Sequence, residues 1–396
     1  MSSTKTLLVD EVDWSRLFHA YGVTSDTPRH LHALVSDDEA AFGNALDHLH
    51  GAVLHQGTVY PATVPALRVV AGTLHDQTHH QVLRRRDEHG RSRLTSLLEW
   101  IDAVGDSASW YEDTDPSDAA EPTDEDIDAF YRAMAADDES VWGSELNHYL
   151  WARSIAELPA ACGEALTTVS TFLTDKDETV RSAALDAYVR LAAVQPDRAE
   201  LTGPLLSAVE AASGRDERAV VVLGLGDLGV DTTPWLSDDD PAIRACAALS
   251  LTGSAAATAV LVGALQDPLA VDEWFTRRPS RFDMRVHFGL MANVLARDVA
   301  LAEILPACLS VVRVAQGGLW SNMTWGPVLL RVFPDVEFQP GVRPDPPQNL
   351  DDAQKAVLRA LVANDDLWDR RDGNANLARM RVGLPDDRDA VARLAS

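Results

Sequence analysis

Ten of the chain's twelve histidines fall within its first 89 residues, and two pairs among them have spacings that metal ligands use. His75 and His79 stand at i and i+4, so a single helix turns both imidazoles to one face. His48 and His55 lie seven apart and share a face if their helix runs on. Four imidazoles on adjacent antiparallel helices could hold a transition-metal ion. His48, His55, His75 and His79 are therefore the candidate ligands. Against a metal stand the absence of an H-E-x-x-H motif and of any Cys pair. Gly57 also breaks the helix near His55. The plainer reading is a set of surface and packing imidazoles, and no cofactor is expected. Neutral near pH 7, these histidines would make the N-terminal third responsive to pH.

A second cluster lies at residues 271–288, where Trp274, Phe275, Arg277, Arg278, Arg281, Phe282 and Arg285 form a basic and aromatic island. Arg and Trp are enriched in binding hot spots, so Trp274, Arg277, Arg278, Arg281 and Arg285 are candidate contact residues for a protein, peptide or nucleotide. The alternative is internal: these arginines neutralise the acidic insert or neighbouring helix faces. Trp320, Met323 and Trp325 follow Gly317-Gly318 and suggest a local hydrophobic core at a bent helix start.

Other chemical signals fail on context. Gly224-Leu225-Gly226-Asp227-Leu228-Gly229 is a literal G-x-G-x-x-G behind the apolar run Val220–Leu223. A dinucleotide site needs a sizeable helix to begin at that turn. Here Pro234 follows five residues after the last glycine, and Asp227 would face the phosphates. A helix end with close packing is expected instead. There is no G-x-S-x-G. Cys162, Cys246 and Cys308 sit in small-residue or apolar stretches, as core thiols do. Paired carboxylates are so abundant that no particular pair singles itself out.

The 396 residues include 61 Asp and Glu against 34 Lys and Arg, a formal net charge of −27. Duplex DNA, RNA and anionic membranes repel such a surface unless a local basic patch overrides it. Three unevenly spaced cysteines form no disulfide framework, which suits a reducing compartment. No apolar leader occurs in Met1–Leu8 and no membrane-length apolar run follows. The expected location is the cytoplasm.

The elements that would position these residues are helices. Thr27-Pro28 and Asp240-Pro241 read as caps followed by a proline in the first turn, and Ser36-Asp37-Asp38-Glu39 reads as a capping box opening a helix to about Leu54. Gly22, Gly90, Gly105 and Gly253 sit where helices should end. Leu350–Asn364 is a clear amphipathic helix. Val220–Leu223 reads as a buried helix turn rather than a strand. Residues 106–128 carry ten acids (Asp106, Glu112, Asp113, Asp115, Asp118, Glu121, Asp124, Glu125, Asp126 and Asp128) and no Lys or Arg, and read as a solvated loop or disordered insert.

Asp177-Glu178-Thr179-Val180-Arg181-Ser182-Ala183-Ala184-Leu185 can be laid over Asp240-Pro241-Ala242-Ile243-Arg244-Ala245-Cys246-Ala247-Ala248-Leu249. Arg181 and Arg244 are 63 residues apart, two units of about 31, which suits helix-pair repeats. A weaker copy surrounds Asp216-Glu217-Arg218. Over roughly residues 160–270 the pattern resembles the HEAT repeat, including the variant of phycobilisome-lyase-like proteins. The resemblance implies a right-handed α-solenoid of antiparallel helix pairs. In it Asp177 and Asp240 cap helices, Arg181 and Arg244 reach a neighbouring unit, and the alanines permit close packing. Outside that span only the helix rhythm supports it. The expected organisation is N-terminal repeats over 1–105, an acidic insert at 106–128, HEAT-like repeats over 129–333, a Pro-rich linker at 334–349 and a helical cap over 350–396.

Such solenoids expose concave surfaces that hold other proteins. The resemblance therefore implies a non-enzymatic scaffold, adaptor or inhibitor, and the acidity favours a basic protein partner, as in an immunity protein. No duplex nucleic acid or membrane is expected as partner. Two other classes remain open. One is an enzyme or small-molecule carrier, lyase-like, using the groove. The other is a nucleic-acid binder acting through the basic island; a bacterial DNA glycosylase family also uses HEAT-like repeats, with a basic concave surface, but the charge of this chain opposes that enzyme reading. The oligomeric state is not legible.

Overall fold

A helix start leaves backbone N–H groups without partners, and short acidic or hydroxyl side chains satisfy them. In the computed structural model such starts organise a mostly helical chain; it describes residues 9–81, 91–111, 121–212, 214–282, 284–336, 338 and 342–396. The strands among the described residues are β1 (Phe18–His19) and β2 (Gly22–Val23), an antiparallel hairpin pairing Phe18 with Val23 and His19 with Gly22. No helix of the described residues is long and apolar enough to cross a membrane. The chain divides into two units, Met1–Ala212 and Ser213–Ser396.

The first unit contains α1 (Thr27–Ala33), α2 (Glu39–His48), α3 (Thr63–Thr73), α4 (Arg93–Ala108), α5 (Asp124–Ala135), α6 (Glu145–Val169), α7 (Glu178–Ala193) and α8 (Gly203–Ala211). Helix α2 starts two residues later than the Ser36–Glu39 capping box predicts: Asp38 is the cap, its carboxylate accepting from the N–H groups of Ala40 and Ala41, and Ser36 Oγ accepts from Asp38 N–H. It runs on through a π-helical turn, Leu49–Val53. Gly105 ends no helix. It lies inside α4, where a Cβ would stand 2.7 Å from that of Arg190 on α7, so its missing side chain serves a helix crossing. Gly90 lies outside the described residues.

The acidic stretch is also more helical than its composition predicts. Asp106 sits on α4 and pairs with Arg190 at 2.9 Å. Asp124, Glu125 and Asp126 form the first turn of α5, which Thr123 and Asp126 close as a capping box. Negative charge is stabilised at a helix N-terminus, so here it nucleates structure rather than melting it. Glu112, Asp113, Asp115 and Asp118 lie outside the described residues.

The two sequence-matched caps share one geometry. Asp177 caps α7 by accepting from Thr179, its own N–H goes to the Asp175 carboxylate, and Arg181 donates to the Asp175 carbonyl at 2.8 Å. In the second unit Asp240 accepts from Ala242, its N–H goes to Asp238, and Arg244 donates to the Asp238 carbonyl at 2.6 Å. Both arginines thus reach back to the turn before their own helix. Two side chains of the preceding helix reach toward the Asp240 cap: Arg215 pairs with Asp240 itself at 2.6 Å, and Arg218 pairs with Asp238.

The second unit contains α9 (Arg215–Asp227), α10 (Pro241–Ser250), α11 (Ala255–Ala264), α12 (Pro268–Asp272), α13 (Val286–Ala296), α14 (Leu301–Val314), α15 (Trp325–Val332), α16 (Asp352–Ala363), α17 (Gly373–Arg381) and α18 (Arg388–Leu394). One core links them, from Ala219 to Ala395. The glycine motif is a helix end. Gly224 and Gly226 belong to α9, Gly229 follows at φ +86°, and Val230 N–H returns to the Leu225 carbonyl at 2.8 Å. At Gly226 a Cβ would meet Ser250 Cβ and Oγ at 2.7 Å. Trp325 is fully buried, while Trp320 packs on Phe288 and Met323 stays exposed. The described part of 334–349 carries no helix. Arg343 there pairs with Asp386 at 2.7 Å and donates to the Leu384 carbonyl.

Gly226→Ala should therefore lower the melting temperature of the second unit. Alanine favours the helix by about 1 kcal/mol, but overpacking at a close crossing costs about 1–3 kcal/mol. Gly263→Ala, in α11 with open space around its Cα, should raise it. Thermal melts of the two variants should shift in opposite directions.

Candidate functional site

Asp26 breaks the capping rule. It holds the N-cap position of α1, yet its side chain makes no cap bond. Its carboxylate turns instead to two histidines: Oδ1 lies 3.2 Å from His19 Nε2 and Oδ2 lies 3.9 Å from His48 Nδ1. Cap residues withheld from their helix mark places where another demand outweighs local stability. His19 reaches the site from the end of β1. The hairpin turn, with Gly22 at φ +115°, makes Tyr21 N–H donate to His19 Nδ1 at 3.1 Å. That bond fixes the tautomer: Nε2 carries the proton and donates to Asp26. His48 closes α2, and its Nε2 lies 2.9 Å from Thr27 Oγ1. His30 stacks on it with ring centroids 4.2 Å apart.

Burial and the neighbouring His30 push His48 down to about 4, against the opposing pull of Asp26. Burial and Arg29 lower His30 as well. Burial acts to raise Asp26, but the His19 hydrogen bond and the nearby His48 hold it below the usual carboxylate value. At neutral pH the Asp26 carboxylate thus stands beside the neutral imidazoles of His30 and His48.

Ligand atoms of His19, Asp26 and His48 all lie within 4.8 Å of one another, a spacing compatible with a metal ion. The second ring nitrogen of a ligating histidine must carry a proton. His48 meets that condition through Thr27. His19 does not, because its Nδ1 is the acceptor of the Tyr21 N–H. The arrangement is therefore a His19–Asp26 hydrogen bond with His48 beside it at 3.9 Å, rather than a prepared donor set. Thr27 is fully buried, which closes its hydroxyl to any substrate.

The four histidines read from spacing are not brought together. His48 joins the cluster above. His55 donates from Nδ1 to the Gly51 carbonyl at 2.8 Å and faces Tyr21, ring centroids 5.5 Å apart. His75 stacks on Phe172, and His79 is buried beside Phe42. The helix expected to carry both His48 and His55 ends at a kink, with Gln56 at φ +52° and Gly57 at φ +76°. Sequence reasoning missed His19 and Asp26. The available signal was Asp26 directly before Thr27-Pro28, a ready cap residue.

Around the His55–Tyr60 turn the first unit exposes an aromatic face. Tyr21 is 69% exposed, Trp110 64% and Trp142 37%. The Trp110 ring covers Gly57, where a Cβ would come within 3.3 Å of it. Trp151 Nε1 donates to the Val59 carbonyl at 2.9 Å, and Tyr111 packs edge-on against Trp151. Trp142 and Tyr60 both meet the buried Phe18 ring.

In the second unit the arginines of the basic island meet carboxylates of neighbouring helices. The backbone N–H of Arg277 donates to Asp216, while the Arg281 side chain lies 3.5 Å from Asp227 and that of Arg285 3.7 Å from Asp272, which also takes His287 at 2.9 Å. Arg215 ties the same segment down by donating to the Trp274 carbonyl. Arg278 is exposed. Burial pushes the pKa of all three cysteine thiols up and so keeps them protonated, as expected of packing thiols. No protein-family model matches this chain, and no curated protein matches it either.

The His48 environment gives stability a pH dependence of definite sign. In the unfolded chain His48 ionises near 6.5; in the fold it stays neutral to about 4. Between those values the unfolded state binds more protons, so stability falls as pH drops from about 6.5 to about 4, by on the order of 1–3 kcal/mol. His48→Gln should flatten that slope in denaturant titrations at a series of pH values, with His30, His19, Asp26 and Arg29 left in place.

Proposed function

We propose that the chain is a non-enzymatic, HEAT-like helical-repeat protein of the cytoplasm that binds a basic protein partner, as adaptor or inhibitor. The observation that carries this reading is the exposed aromatic face of Tyr21, Trp110 and Trp142 on a chain of net charge −27. Large aromatic rings left in water are unusual outside contact surfaces. Their faces attract guanidinium and ammonium groups, and the surrounding negative field steers the same groups toward them. The matched caps of α7 and α10 support the repeat reading. Three buried free cysteines support a reducing compartment. An immunity-like role, in which the partner is a basic toxin domain, is the concrete form of this proposal. Duplex nucleic acid and membranes are not proposed as partners.

A photoreactive residue placed at position 110, and separately at position 278, tests the reading by cross-linking in the native lysate. Position 110 should capture one basic protein, with capture lost at high salt, and Trp110→Ala with Tyr21→Ala should weaken its binding by roughly tenfold or more. Capture at 278 alone, or capture insensitive to salt, would overturn the proposal.

A further inference from the structure

A cavity of about 370 Å³ opens in the first unit between the chain before β1 and helices α3, α5 and α6. That volume suits a small metabolite. Tyr131 of α5 lines it with a side chain only 6% exposed, and its hydroxyl has no hydrogen-bond partner among the described residues. A buried hydroxyl without a partner costs free energy, so it marks a place where a ligand group or water is expected. Burial pushes the pKa of this phenol up and keeps it protonated, and Arg16 and Arg153 are the cations close enough to oppose that. Both arginines keep donors in reserve. Arg153 is held through Nε by Glu157, which leaves its two terminal nitrogens without hydrogen bonds among the described residues. Arg16 uses one terminal nitrogen on Asp124 and Asp128.

The wall is as acidic as it is basic. Arg16, Arg68 and Arg153 face it together with Asp13, Asp124 and Glu157. Arg68 is spent on a two-pronged bond to Glu164 just beyond the wall, Asp124 on Arg16, and Glu157 on Arg153. Asp13 is in no ion pair among the described residues; its Oδ1 accepts from Ser15, and Oδ2 is open. A phosphate dianion would meet these acids, and a simple cation would meet the arginines. A molecule carrying one carboxylate and one ammonium group answers both. Leu17, Val64, Ile127 and Leu150 complete the wall with apolar surface.

We propose that this cavity binds a small zwitterion with an apolar side chain, an α-amino acid or short peptide. Its carboxylate takes the Tyr131 hydroxyl and the free donors of Arg153 and Arg16, and its ammonium group takes Asp13. Calorimetric titration of the full chain tests this with leucine, leucyl-leucine, leucinamide and N-acetyl-leucine. Saturable binding of leucine or leucyl-leucine is expected, the tighter of the two identifying the source. The amide, lacking the carboxylate, and the acetyl compound, lacking the charged amine, should bind at least about tenfold more weakly. Tyr131→Phe should weaken binding several-fold, and Arg153→Gln, a surface change that leaves the core intact, should do so more strongly. Absence of saturable binding, equal binding of the amide or acetyl compound, or unchanged affinity in both variants would overturn the proposal.

Discussion

Aspartate at the helix N-cap is the interaction on which the rest of this structure depends. Asp13, Asp38, Asp76, Asp138, Asp177, Asp240, Asp267, Asp351, Asp372 and Asp387 each accept a backbone N–H at the start of a helix or helical turn. Each cap satisfies donors that would otherwise be orphaned and places a negative charge where the helix dipole favours it. Much of the charge that would make an acidic chain repel itself is thereby used to hold it together. The same fact refines the electrostatic view of the surface. Carboxylates engaged at caps still contribute to the long-range field around the chain, but the oxygens bonded to backbone are poorly placed to take new contacts; in Asp13 that is Oδ1 alone.

Against that background Asp26 stands out by its behaviour. It has the position of a cap and the chemistry of one, and its carboxylate serves His19 and His48 instead. The hairpin, the first helix and the end of the second helix meet at this carboxylate. The aromatic face begins at the same hairpin, since Tyr21 supplies both the N–H that orients His19 and the exposed ring beside His55. A buried polar cluster and an exposed aromatic ring thus share one turn of chain.

The helical class, the caps of α7 and α10, the helix after Leu350 and the harmless nature of the glycine motif were all legible in the sequence, because each is a local pattern. What was not legible depends on distance along the chain. Gly105 reads as a stop because glycine ends helices, and only its partner Arg190, far away in sequence, shows it to be a crossing point. The acids at 124–126 read as a repelling run because their count was weighed without Thr123, which turns them into a first turn. His48 and His55 have the right spacing on an unbroken helix, and a kink at Gln56 cancels it. His19, Asp26 and His48 meet through tertiary packing alone, so no spacing rule selects them.

The proline-rich run near the C-terminus has a consequence for how the second unit opens. Arg343 grips Asp386 and the Leu384 carbonyl, and the backbone of Asp345 lies against Gly383, which sits at φ +71° with no side chain to hold it off. Farther on, Arg359 donates to the carbonyl of Ala395, and Arg388 to that of Val362. An extended segment would ordinarily be the first to fray and the easiest to cut. Here it is stitched to the last helices, which are stitched in turn to α16. Local opening at the chain end therefore has no small step available. The final helices and the extended run before them form one cooperative block, released together or not at all.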